Sequence, residues 1–205
     1  MLFIESYVMR KFSFLIYVVV FVGSLSFSSA KAQDPNLQRV ERYLYTIYNS
    51  NKSSIRETER LMRSLEERMD LYLVTLSRDD MKLVKDDDQK VDAYVKQMER
   101  LTSVKVIRQT IEEGKVSYRE TLDRLLNEGL KNRADVLECR KILVLRSMEY
   151  NLQMTNQDKL LLLLKDDFVR QEFIQKFVVG KSEDDFSNLK IFAKQVDMAI
   201  DAYDM

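Results

Sequence analysis

The chain has 205 residues, 45% hydrophobic and 32% charged, with 33 Lys and Arg balanced by 33 Asp and Glu. It contains no histidine, no tryptophan and a single cysteine, Cys139. That excludes Ser-His and Cys-His nucleophile pairs, His-ligated zinc or haem, an intramolecular disulfide and any CxxC motif.

One proline and four glycines are too few for the hairpins of an all-β fold. Residues 1–32 carry the pattern of a secretory signal peptide. Arg10 and Lys11 precede an apolar core of nine residues, Phe14 to Val22, and small residues stand at Ala30 and Ala32 before Gln33. A membrane span takes about 20 apolar residues, so cleavage after Ala32 is expected and no stable span should remain. The rest is then extracytoplasmic, either periplasmic or secreted. Arg10, Lys11, Lys31 and Glu5 fall in the leader, which leaves 30 basic and 32 acidic residues from Gln33 onward. This balance argues against a nucleic-acid partner, which calls for Lys and Arg in excess on one face.

Asp34-Pro35 reads as an N-cap followed by proline at the first helical position. Leu37, Val40, Leu44 and Ile47 then step by three and four; Tyr43 and Tyr48 widen that stripe and Tyr45 lies outside it. The run NSNKSS, Asn49 to Ser54, is the most loop-like of the first half and holds the glycan-acceptor pattern Asn51-Lys52-Ser53. One of two readings of residues 33–50 is a docking arm whose apolar face is only partly covered by its own domain. Tyr43, Tyr45 and Tyr48 are its candidate partner-binding residues, because tyrosine joins a large apolar body to a polar tip. The competing expectation is that the segment folds back as the first helix of a bundle.

Ile55, Thr58, Met62, Leu65, Met69, Tyr72 and Leu76 alternate by three and four and predict a long helix, broken at Ser77 to Asp80 or ended at Lys85 to Lys90. Asp86, Asp87 and Asp88 lack the alternate spacing and glycine of a calcium loop and read as a helix N-cap instead. The apolar series Val91 to Ile111 predicts a helix stopping at Gly114, and Val116 to Leu126 a shorter one stopping at Gly129. Another should run from near Asn132 to about Met154, with Cys139 as a small buried apolar side chain.

Thr155 to Gly180 is the stretch expected at the centre of the fold. Leu160 to Leu164 sweep more than a full turn, which leaves no face suited to water. Thr155 with Asp158 reads as a capping box, Gly180 as the residue past the helix end, and Lys165, Gln171, Glu172, Gln175 and Lys176 as a solvent stripe. Ser182 with Asp185 repeats the box before a last stripe of Phe186, Leu189, Ala193, Val196, Ile200 and Tyr203.

These elements predict an all-α fold, an antiparallel bundle of six or seven helices forming a single domain over residues 33–205. No catalytic, cofactor-binding or metal-binding constellation stands out, so the expected role is a non-enzymatic interaction or assembly protein with a protein partner or self-association. One alternative is a carboxylate-dependent envelope enzyme such as a glycosidase, drawing on Glu99, Glu112, Glu113 or Glu172. The other is a minor pilus-type subunit of a secretion or conjugation system, whose mature start the run Ala32-Gln33-Asp34-Pro35-Asn36-Leu37 resembles in flavour. Six residues do not define a family.

Overall fold

The computed structural model describes residues 35–177 and 189–203. Every regular element among them is a helix: α1 (Pro35–Leu73), α2 (Arg78–Asp86), α3 (Asp88–Glu99), α4 (Val104–Ser117), α5 (Arg119–Glu128), α6 (Arg133–Lys165), α7 (Asp167–Phe177) and α8 (Leu189–Ala202). None of them is long and apolar enough to cross a membrane. The expected signal segment, the stop at Gly180, the capping box at Ser182 and Asp185, and Phe186 lie outside the described residues.

α1 and α6 form an antiparallel spine. Asn51 of α1 bonds the Gln153 carbonyl of α6, while further along α1 the Leu65 carbonyl accepts from the Cys139 thiol. The pairing thus moves back along α6 by as many residues as it moves forward along α1. Near the start of α1, Val40 and Leu44 share an apolar core with Leu160 and Leu163, which continues the same register. This is the all-α, antiparallel multi-helix bundle predicted by the 3.6-residue stripes.

The centre of the fold differs from the expectation in extent. Thr155 does not start a helix: α6 runs through it, and its hydroxyl donates to the Asn151 carbonyl one turn back at 3.0 Å. The true start is Asn132, whose side chain accepts from the Asp135 N–H while the Asp135 carboxylate accepts from the Asn132 N–H, a reciprocal cap. The helix ends at Lys165, where Asp166 turns extended and its carboxylate accepts from the N–H groups of Phe168 and Val169 to begin α7. Arg170 spans the joint, donating to the Leu163 and Leu164 carbonyls and lying 3.2 Å from Glu41 of α1.

The leucine run therefore has a wet face. Leu160 and Leu163 are buried, but Leu162 is 38% exposed, because α1, α7 and α8 cover only part of the circumference of α6 there. Phe168, in the first turn of α7, is 76% exposed. The predicted solvent stripe of Lys165, Gln171, Glu172, Gln175 and Lys176 is exposed throughout.

Other boundaries shift for local reasons. NSNKSS is helical, since Asn51 finds partners on α6 instead of closing a turn on its own backbone. Ser77 caps α2 by accepting from the Asp80 N–H at 3.1 Å, so SRDD begins a helix. The apolar series from Val91 divides between α3 and α4, and Gly114 lies inside α4, which runs on to Ser117. Gly129 does stop α5, with φ at +76°.

Candidate functional site

The spine carries an apolar core towards each of its ends. One gathers Val40, Leu44, Leu160, Leu163, Phe173, Val196, Ile200 and Tyr203; the other gathers Leu65, Val84, Leu125, Leu130, Val136, Cys139 and Ile142. Between them lies a polar waist. Lys115 of α4 reaches Glu149 at 2.6 Å and Glu112 at 3.0 Å, and Arg146 takes the other oxygen of Glu149 at 2.7 Å. Glu149 is buried, so both its oxygens need such partners. Burial alone would lower the Lys115 pKa; Glu149 and Glu112 outweigh it and leave it raised, which keeps the amine charged. Beside this group, Gly114, Lys115, Tyr118, Leu122, Ile142, Leu145 and Arg146 line a crevice of about 10 Å³. That is room for about one water and no larger ligand.

A second ionic group holds the start of α6. Asp87 is buried and takes Arg133, with Lys90 at 2.8 Å on its other oxygen. The Arg133 and Lys90 hydrogen bonds hold its pKa down at about 2. As expected, Asp87 stands at the N-cap of α3 with Asp88 in its first turn, but the Asp87 side chain makes no cap bond and turns to Arg133 instead. Asp135 is also buried; burial would raise its pKa, but Arg124 at 2.6 Å and the Lys131 and Asn132 N–H groups leave it lowered. Nearby, the hydroxyls of Tyr94 and Tyr118 share a hydrogen bond, and burial pushes Tyr94 up to about 12. Cys139 is fully buried and its thiol is likewise pushed up to about 12 by burial, which suppresses thiolate chemistry.

The third polar group fastens α8. Asp201 accepts from Asn156 at 3.0 Å and from Arg108 of α4, and Arg108 also lies 3.5 Å from Asp197. Burial raises the Asp197 pKa, with Asp201 adding to the shift and Arg108 opposing it. Lys159 donates to the Ile200 carbonyl in the last turn of α8 and to the Tyr203 carbonyl just past it, where a cation suits the negative end of the helix dipole. Between these polar contacts, Val196, Ile200 and Tyr203 enter the apolar core, and the Tyr203 ring meets Phe173 edge-on at 5.5 Å and Phe177 at 5.9 Å. Sequence reasoning missed this group: the one signal available was the pair Asp197 and Asp201, one turn apart beside the apolar stripe, while Arg108, Asn156 and Lys159 carry none.

The structure separates the three candidate partner-binding tyrosines. Tyr43 and Tyr48 pack partly buried against the first core, and Tyr45 alone projects, 59% exposed. The docking-arm expectation for residues 33–50 is corrected in one respect: the apolar face at Val40 and Leu44 is fully covered by the chain's own helices. The candidate acids do not converge. Glu99 ends α3, Glu172 is exposed on α7, Glu112 pairs with Lys115, and Glu113 accepts from Gln109 at 2.7 Å.

No family model, no curated protein and no solved structure matches the chain.

Proposed function

We propose that this chain is a non-enzymatic interaction or assembly protein acting outside the cytoplasm, which presents helix faces to a protein partner or to further copies of itself. The observation that carries the reading is the exposure of large apolar side chains along α1. Tyr45 is 59% exposed near its start; Leu71 in its last turn and Val74 just past its end are 70% and 82% exposed. Leu71 and Val74 put two large apolar side chains close together in water, a feature of contact surfaces. The non-enzymatic part is supported by the interior acids: Asp87, Asp135, Glu149 and Asp201 are all tied to basic or amide side chains, an arrangement suited to bracing helices rather than to moving protons. The location rests on the leader pattern of residues 1–32.

The test combines sedimentation of the purified protein over a range of concentrations with cross-linking in the intact cell envelope. Tyr45→Ser and the pair Leu71→Ser and Val74→Ser are expected to keep the wild-type melting temperature while weakening the cross-linked species. A wild-type protein that stays monomeric and cross-links to nothing, or variants indistinguishable from it, would overturn the reading.

A further inference from the structure

We propose that an exposed face of α1 pairs with the same face of a second copy of this chain, the two helices running antiparallel about a two-fold axis. The inference deepens the self-association reading above and rests on it.

Lys52, Arg56, Glu59, Arg63, Glu66 and Asp70 step by four and three along α1, and all six are exposed. At 100° per residue they fall in one seam, an arc of about 80°. Along it the charges run basic, basic, acidic, basic, acidic, acidic. Reversed, that order is its own complement. About an axis level with Leu61, an antiparallel second copy sets Lys52 against Asp70, Arg56 against Glu66 and Glu59 against Arg63, and symmetry makes each pair twice. No position in the seam then faces a like charge.

Within one copy the same order is poorly placed. Lys52 and Arg56 are like charges one turn apart, as are Glu66 and Asp70, and such pairs destabilise a helix. α1 has no acid in its first turn and no base in its last, where Asp70 stands, the reverse of what the helix dipole favours. Of the six, Glu59 and Arg63 pair with each other at 3.3 Å, while the other four make no ion pair among the described residues.

The charge order names the occupant. A foreign helix would need this one sequence of signs to avoid like charges, and a second copy carries it by identity. The ends of the seam agree. Tyr45 continues it on one side, and Val74, whose N–H donates to the Asp70 carbonyl at 3.1 Å, continues it on the other. The pairing brings Tyr45 of each copy within a turn of Val74 of the other, which covers the exposed apolar groups at both ends.

Charge reversal in the purified full chain tests this. Lys52→Glu with Arg56→Glu makes one variant, and Glu66→Lys with Asp70→Lys another. Each alone meets its own copy with like charges at most of its pairs and should self-associate at least about tenfold more weakly than wild type in sedimentation. Neither should change the melting temperature, since all four side chains are exposed. Mixed, the two variants complement each other at every position, so the mixture should return to twice the monomer mass. Added salt should weaken both the wild-type and the mixed dimer. A carbodiimide should also join Lys52 to Asp70 in the wild-type protein; the two lie about 27 Å apart along one helix, so this bond forms only between copies. Wild type that associates but ignores the reversals, with no gain on mixing and no such bond, overturns the pairing while the proposed function stands through another surface. Wild type that stays monomeric also overturns it. Cross-links to a different protein, abolished by the reversals, would then assign the face to that partner and keep the proposed function; cross-links to nothing would end both readings.

Discussion

The Asn51 amide nitrogen lies 2.8 Å from the Gln153 carbonyl oxygen and 2.8 Å from Gln157 Oε1, tying the middle of α1 to the middle of α6. Two consequences follow from that one nitrogen. Asn51→Ala should lower stability by about 1–2 kcal/mol in urea unfolding, because it leaves the Gln157 acceptor half-buried without its donor. The same nitrogen is the atom to which a glycan would be attached, in place of one of the hydrogens it donates. In a host that glycosylates secreted proteins, the folded chain should carry an unmodified Asn51, and Ser53→Ala should leave its intact mass lower by one oxygen only.

This contact marks what the sequence could and could not convey. Stripes at helical spacing correctly placed Val40, Leu44, Leu65, Ile111, Leu125, Val136, Val196, Ile200 and Tyr203 inside, since burial on a helix follows from periodicity alone. Gly129, a stop signal, and the start near Asn132 were also legible, because caps act over three or four residues. NSNKSS read as a loop because its stabilising partner is 102 residues away in sequence. Thr155 read as a start because its hydroxyl can cap or back-bond equally well, and only the continued packing of α6 decides. Arg108 carried no sign of its role, since its acids lie at the far end of the chain.

The rotation of α6 within the bundle is checked by neighbouring leucines. Leu163 is fully buried and Leu162 is 38% exposed. Leu163→Ala should cost about 2–5 kcal/mol, through lost burial and the cavity it leaves. Leu162→Ala should cost less than about 1 kcal/mol, and Leu162→Asp should leave a cooperative melt, contrary to a helix buried all round. Chemical denaturation of the three variants decides it.

Acid should weaken the joint between α2, α3 and α6. The Asp87 pKa falls from its ordinary 3.8 to about 2, so the folded state holds this proton less tightly than the unfolded state. Its stabilising contribution is complete above the unfolded value, near pH 4, and is lost as pH falls through 2. Asp87→Asn should be less stable than wild type at pH 7, by about 1–3 kcal/mol. Its denaturation midpoint should then decline less steeply than that of wild type between pH 4 and 2. Parallel declines in that window would show that Asp87 is not the group responsible.

The close crossing of α4 on α6 depends on the absence of a side chain at Gly114. A Cβ built there would lie 2.5 Å from Leu145 Cδ1 and 3.2 Å from Cδ2, and Leu145 is buried, so both methyl groups would have to move together. In an unobstructed helix, replacing Gly by Ala stabilises by about 1 kcal/mol. Here the overlap should outweigh that gain, and Gly114→Ala should destabilise by about 1–3 kcal/mol. Removing the obstruction should reverse the sign: in a Leu145→Ala background, Gly114→Ala should become neutral or stabilising. The double-mutant cycle, read by urea unfolding, isolates the contact from helix propensity, which is the same in both backgrounds. Should Gly114→Ala stabilise the wild-type chain as well, the two helices do not cross at that closeness, and the ion pair between Lys115 and Glu149 beside the crossing loses its geometric basis.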